Sequence, residues 1–147
     1  MRSFDPCSRS STIADPPLYS WPIRVYYEDT DAGGVVYHAN YLKFMERART
    51  EWLRSMEFEQ TDLLHHYGIV FVVRDIQVEF LKPAYFNDHL RVTVDLDHVR
   101  RSVVSVHQSI ERDTPLCHAR VRIVCVSGEA FRPVAIPQPI KLQLEKT

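Results

Sequence analysis

Between Tyr26 and Asn40 the chain concentrates side chains capable of chemistry: Glu28, Asp29 and Asp31, then Gly33-Gly34, then Tyr37, His38 and Asn40. The last three run into a segment with helical periodicity. A helix start presents backbone N–H groups without intrahelical partners and about half a positive charge. Such a place stabilises a developing oxyanion or polarises a carbonyl oxygen. A carboxylate held beside it serves as general base or as nucleophile, and glycines let the backbone come close to a ligand. The residue types alone leave a second reading open, in which the acidic loop is a structural turn that caps the helix.

The elements that must position this loop are legible from periodicity. Tyr41, Phe44, Met45, Ala48, Trp52 and Met56 fall on one stripe of a helix running from Asn40 to Met56, with Lys43, Glu46, Arg47, Arg49, Glu51 and Arg54 largely opposite. Asn40 has the side chain of an N-cap. A shorter helix is expected over Thr61–Tyr67, ending before Gly68. His65 and His66 in it are adjacent and so point about 100° apart, which does not suit a shared metal. Pro22 to Glu28 reads as a short strand ahead of the loop. Beyond Gly68 the period becomes two. Val92, Val94, Leu96 and His98 alternate with Arg91, Thr93, Asp95 and Asp97; similar alternation covers Val104–Ile110 and Ala119–Cys125. Ile69–Leu81 is apolar on both parities at its start, so cover on two sides is expected there. The tail from Arg132, with Pro133, Pro137 and Pro139, reads as extended. One long helix followed by four strands predicts an α+β domain whose antiparallel sheet turns one face to the helix. Residues 1–20, rich in serine and proline, read as a flexible arm ahead of a single domain over 21–147.

Composition narrows the function classes. Eighteen Lys+Arg against nineteen Asp+Glu in 147 residues leave a net charge of −1, which supplies no global positive field for nucleic acid. The longest apolar stretch, about Ile69–Val73, is far short of the ~20 residues of a membrane helix. Three cysteines cannot all pair within one chain. Cys117 and Cys125, in one predicted strand, would lie roughly 26 Å apart, beyond any disulfide. No metal-ligand spacing and no signal peptide are visible. A reduced, cytoplasmic protein without a metal is the expectation.

The run Tyr26-Tyr27-Glu28-Asp29-Thr30-Asp31-Ala32-Gly33-Gly34-Val35-Val36-Tyr37-His38-Ala39-Asn40-Tyr41 resembles the signature of the 4-hydroxybenzoyl-CoA thioesterase family, and within it the Tol-Pal-associated acyl-CoA thioesterases. The similarity continues through Phe44-Met45-Glu46-Arg47-Ala48-Arg49 and Val78-Glu79-Phe80-Leu81-Lys82-Pro83-Ala84, spanning roughly residues 22 to 130. The resemblance implies a hot-dog fold, in which a curved antiparallel sheet of five to six strands wraps one long helix. It also implies hydrolysis of acyl-CoA or acyl carrier protein thioesters without metal or cofactor, by a homo-oligomer (dimer or tetramer) whose site lies at a subunit interface. Carried over position by position, Asp31 is the catalytic carboxylate and Gly34 gives the ligand room. The backbone N–H of His38 polarises the thioester carbonyl, and the His38 side chain orients substrate or water or has no chemical role. Tyr37 and Asn40 shape the pocket and cap the helix. His38 stands where the aromatic-substrate subgroup has tyrosine, which argues against 4-hydroxybenzoyl-CoA as substrate. Arg100 and Arg101, in a turn between predicted strands, are either donors to the CoA phosphates or a solvated turn. Glu28 and Asp29 are expected to be salt-bridged or solvated, and the Tyr41–Trp52 stripe and both strand cysteines to be core. Two other functions stay in view: a hydratase or dehydratase of acyl thioesters, whose carboxylate–histidine pattern is not found, and a non-catalytic acyl-thioester-binding or envelope scaffold protein.

Overall fold

The computed structural model describes residues 19–146. Strand β1 (Tyr19–Arg24) leads through a 3-10 turn (Tyr27–Asp29) to helix α1 (His38–Ser55) and helix α2 (Gln60–Tyr67). Strands β2 (Ile69–Phe80), β3 (His89–Val99), β4 (Val103–Glu111) and β5 (Pro115–Ser127) follow, then helix α3 (Gln138–Glu145). The strands form one antiparallel sheet in the order β1-β3-β4-β5-β2. The apolar stripe of α1, with Phe44, Met45 and Ala48 fully buried, packs in one core with Val92, Val106, Ile110 and Val121. This is the α+β hot-dog arrangement expected from the sequence, with five strands.

The helix stripe, the four later strands and the α2 stop all stand where periodicity puts them. Gly68 ends α2 in the left-handed region (φ 67°), a conformation that costs a residue with Cβ about 1–2 kcal/mol. Four details differ. The first strand covers Tyr19–Arg24, not Pro22–Glu28, so it starts within the span read as an arm; residues 1–18 lie outside the described residues. Tyr19, Trp21 and Ile23 pair across Val94, Val92 and Leu90, and Pro22 is accommodated because β1 is an edge strand.

The register of β3 shifts between Leu96 and His98. A bulge there carries His98 off the helix-facing parity and leaves its Nδ1 3.1 Å from Asp97 Oδ2. A second shift lies between Val73 and Asp75 in β2; both irregularities add twist to strands that must bend around α1. The start of β2 is covered on two sides only at Ile69, while Val70, Phe71 and Val72 are half-buried and Val73 is 45% exposed. β2 is the other edge of the sheet.

The tail is helical where extended chain was expected. Pro137 and Pro139 sit at the N-cap and in the first helical turn of α3, positions whose N–H groups have no intrahelical acceptor, so proline starts a helix there rather than breaking it. Ile140 and Leu144, four apart, are buried against the core. Cys117 and Cys125 are free and buried. Burial pushes their thiols up to about 12 and about 11 respectively, so both stay protonated and inert as core residues. If α3 is part of the core, Ile140→Ala should lower the unfolding free energy by ~2–5 kcal/mol. A urea midpoint that stays at the wild-type value would show α3 to be an unpacked appendage.

Candidate active site

The loop from Val25 to Tyr37 is held by backbone at both ends. Val25 N–H donates to Asp88 O at 2.9 Å and its carbonyl accepts from Asn87 N at 3.0 Å, while Val36 N–H donates to Ala84 O at 2.9 Å. The segment 84–88 that receives these bonds is itself fixed. Tyr41 Oη accepts the Ala84 N–H at 3.0 Å, and Asp88 Oδ2 takes the Tyr85 N–H and an Arg112 Nη1 donor at 2.7 Å.

Inside the loop the two aspartates have opposite environments. Asp29 is 5% exposed. Its Oδ2 accepts from Tyr26 N and its Oδ1 from Asn40 Nδ2, both at 2.8 Å, and its carbonyl accepts from Tyr37 N at 2.9 Å. This replaces the salt-bridged or solvated pair expected for Glu28 and Asp29: Glu28 is exposed, and Asp29 is a buried anchor. Asn40 is correspondingly not the cap. α1 starts two residues earlier, at His38, with Tyr37 at the N-cap position and no side-chain hydrogen bond closing it. The Asn40 amide is spent on Asp29 instead.

Asp31 is exposed at the tip of a tight hairpin. Its N–H donates to Val35 O, its carbonyl accepts from Gly34 N, and its Oδ1 accepts from Gly33 N at 2.8 Å. Gly34 turns the chain with φ 81°, a backbone that favours glycine. The bridge between Thr30 and Val36 returns the chain beside its own start. The hairpin carrying Asp31 leads through Val36 and Tyr37 straight into the first turn of α1, and at this mouth the opening N–H groups of the helix at His38 and Ala39 have no intrahelical acceptor.

The His38 ring, exposed, lies 4.5 Å from the Tyr37 ring and 6.4 Å, edge-on, from Phe80. Phe80 also meets Tyr41 at 5.4 Å. Sequence reasoning missed Phe80 as a wall of this mouth. Its parity in β2 marks it as helix-facing, but only its place at the strand's end leaves it 50% exposed beside His38.

Asp31, Gly34, Tyr37, His38 and Asn40 are thus gathered at one end of α1. Arg100 and Arg101 are not. They are exposed in the β3–β4 turn, where Arg100 N–H donates to Val103 O and Arg101 O accepts from Ile136 N. The loop end of β3 is His89, which pairs with Arg24. Eleven residues of strand, roughly 36 Å, separate the two ends. His65 and His66 are exposed, and among the described residues no three His, Cys, Asp or Glu side chains come together as a metal site. No described helix is long and apolar enough to cross a membrane.

A five-stranded antiparallel sheet on one long helix, with an acidic hairpin leading into an uncapped helix start, defines a hot-dog protein. The sequence profile of the thioesterase superfamily matches residues 33–119, starting just past Asp31. Acyl-CoA thioesterase YbgC of Haemophilus influenzae is 44% identical over 124 residues, covering 84% of this chain and 91% of that one. Acyl-CoA thioesterase YbgC of Helicobacter pylori is 37% identical over 128 residues, covering 80% and 93%. The crystal structure of a probable thioesterase from Bartonella henselae superposes with a TM-score of 0.77 at 33% identity, covering 82% of this chain and all of that one. The chain belongs to the thioesterase superfamily.

The Asp29–Asn40 bond is the side-chain tie between the loop and the helix, beside the backbone bond from Tyr37 N–H to Asp29 O. Asn40→Ala should therefore cost ~1–3 kcal/mol of stability by leaving a buried acceptor unpaired, a fall of roughly 2–12 °C in Tm. An unshifted thermal midpoint would show the anchor to be redundant.

Proposed function

We propose that this chain hydrolyses acyl-CoA thioesters to a free acid and the CoA thiol. The observation that carries the reading is the uncapped start of α1 at the end of the hairpin that exposes the Asp31 carboxylate. The thioester carbonyl oxygen accepts from the first N–H groups of α1, at His38, where the helix dipole favours the negative charge of the tetrahedral intermediate. Asp31 either takes a proton from the attacking water or attacks the carbonyl carbon itself. In the first route water adds to carbon, the C–S bond breaks, and the proton leaves with the thiolate. In the second, an Asp31 anhydride forms as the thiolate departs, and water then opens it to regenerate the carboxylate. Neither route needs a metal or a cofactor. Tyr37, His38 and Phe80 wall the mouth, and Gly34, without a side chain, leaves room beside Asp31. Acyl carrier protein is a second carrier the same chemistry would accept. A cytoplasmic location and a Tol-Pal connection belong to this reading through the family resemblance and the similarity to the YbgC proteins.

Asp31→Asn tests the core of it. Asparagine keeps an oxygen for the Gly33 N–H but removes the basic or nucleophilic character, so kcat should fall by at least on the order of 10²-fold. Acyl-CoA affinity should stay within about tenfold and the thermal midpoint near wild type, because Asp31 is exposed and its turn bonds survive. A variant hydrolysing at the wild-type rate would return Asp31 to the role of a turn residue and favour a non-catalytic acyl-thioester-binding protein.

The same proposal includes a homo-oligomer, dimer or tetramer. The support is β2, an edge strand carrying half-buried Phe71 and exposed Val73, since an open apolar edge invites pairing. In this reading the Arg100–Arg101 turn serves the CoA phosphates of another copy's thioester loop, in keeping with a site at a subunit interface. Sedimentation should show no active monomer at micromolar concentration. The double variant Arg100→Ala/Arg101→Ala should raise KM while leaving kcat near wild type; an unchanged KM would make the turn a solvated one.

A further inference from the structure

Phe80 is the last residue of β2, and its ring lies against the first turn of α1. The ring centroid stands 6.4 Å from the His38 ring, edge-on at 80°, and 5.4 Å from the Tyr41 ring at 62°. His38 and Tyr41 are three residues apart, so they are neighbours on one helix face. Phe80 therefore spans the very turn whose N–H groups have no intrahelical acceptor. Helical side chains lean toward the N-terminus, which brings the His38 ring over the helix opening. A group bound at that opening meets Phe80 as its neighbour on the β2 side.

The groups behind Phe80 are fixed. Tyr41 and Phe44 are both buried and meet edge to face at 6.3 Å. The Tyr41 hydroxyl oxygen accepts the Ala84 N–H, and Cys117, opposite Phe80 in β5, is fully buried. Phe80 itself is half-exposed and, being hydrocarbon, has no hydrogen bond to hold its ring. The rings Phe80, Tyr41 and Phe44 thus form a row leading from the mouth into the space between helix and sheet, with Phe80 outermost. At 5.4 Å the Phe80 and Tyr41 rings are in contact, so no hydrocarbon chain passes between them. Truncation of Phe80 to alanine removes about six carbons, a benzene-sized volume, and bares an apolar floor of Tyr41 and Cys117.

We propose that Phe80 sets the acyl-chain length this protein accepts, by closing the apolar space between the first turn of α1 and the end of β2 to the acyl tail. The proposal rests on the proposed thioester hydrolysis and adds to it the side chain that selects among acyl groups. With the thioester carbonyl on the first N–H groups of α1, the carbon chain leaves the carbonyl carbon beside Phe80. Its first methylenes lie against the exposed part of the ring. Later ones are barred from the space behind the ring and gain little by being added. A methylene moved from water into apolar surroundings strengthens binding about fourfold. A chain free to enter that space gains steeply with length, and one stopped at Phe80 does not.

The test compares the full-length wild type with Phe80→Ala and Phe80→Trp in two ways. One is kcat/KM for butyryl-CoA and octanoyl-CoA; the other is the calorimetric Kd of the non-hydrolysable thioethers S-butyl-CoA and S-octyl-CoA. In Phe80→Ala the octanoyl-to-butyryl ratio of kcat/KM, and the matching ratio of thioether affinities, should rise at least about tenfold over wild type, the gain from roughly two newly buried methylenes. In Phe80→Trp both ratios should stay at or below the wild-type value. Each readout is a ratio within one variant, so a loss of folded protein cancels from it. If the wild type hydrolyses neither thioester while the thioether ratios move as stated, the hydrolase reading falls and Phe80 stands as the length selector of a binding protein. Thioether ratios unchanged in Phe80→Ala, a ratio that rises in Phe80→Trp, or no thioether binding to the wild type would each overturn the proposal.

Discussion

The carboxyl group of Asp29 is nearly sealed from water, and a group that polar must find donors inside the protein. It finds them in the Tyr26 N–H on one side and the Asn40 amide on the other. Those two bonds join the end of the β1 connection to the first turn of α1, and the Asp29 carbonyl adds the Tyr37 N–H. With both flanks pinned, the residues between have little freedom. They close into the hairpin that lifts Asp31 and Gly34 to the surface. A buried carboxylate thus decides where the exposed one stands. The same bonds divert Asn40 from capping. The N-terminus of α1 is left without a side-chain cap, which is the feature the proposed function draws on.

Much of this was readable in advance, and the exceptions share a physical cause. Burial stripes are a local signal, so α1, the α2 stop at Gly68 and the parity of β3, β4 and β5 follow from spacing alone. The gathering of Asp31, Gly34, Tyr37, His38 and Asn40 at one helix end is equally local. What spacing cannot reveal is which partner a polar side chain selects. Asparagine just before an apolar stripe satisfies the N-cap pattern, yet a buried acceptor eleven residues back competes for its amide and wins. Asp29 and Asp31 are the same residue type two apart, and only tertiary burial separates anchor from tip. Proline carries a similar ambiguity. Pro137 and Pro139 break a helix from within and begin one from its first turn, and the difference rests on whether Ile140 and Leu144 reach the core.

Sheet curvature explains the remaining departures. A flat sheet would touch α1 along a narrow line; the irregularities at Val73/Asp75 and Leu96/His98 let β2 and β3 twist and bend around it. Each inserts a residue, and each insertion reverses side-chain parity beyond it. His98 therefore leaves the face that alternation assigns to it and meets Asp97. That carboxyl also faces His107 at 3.7 Å and Arg120 at 3.6 Å, and it is held below the usual carboxylate range because these positive neighbours outweigh its desolvation. Around Asp97 the sheet face away from α1 is polar, while Val70, Val72, Val124 and Val126 pair on that same face nearer the β2 edge.

One helix consequently presents its polar groups by two kinds of physics. At its start the working groups are backbone N–H donors. Any helix has them, so their availability depends on what the neighbouring side chains refrain from doing: Tyr37 supplies no cap, and Asn40 faces Asp29. Three turns further on, the backbone is fully engaged and only a side chain can act. There Arg49 brings a charge into the interior beside a cavity. The first arrangement is tolerant of which residue stands at position 38, since the N–H remains whatever the side chain, provided it is not proline. The second has no such tolerance, because lysine in place of Arg49 would keep the charge but lose the planar guanidinium that engages Gln108. What the helix start offers is therefore set by backbone geometry that distant sequences can share, whereas what its middle offers is set by individual side chains.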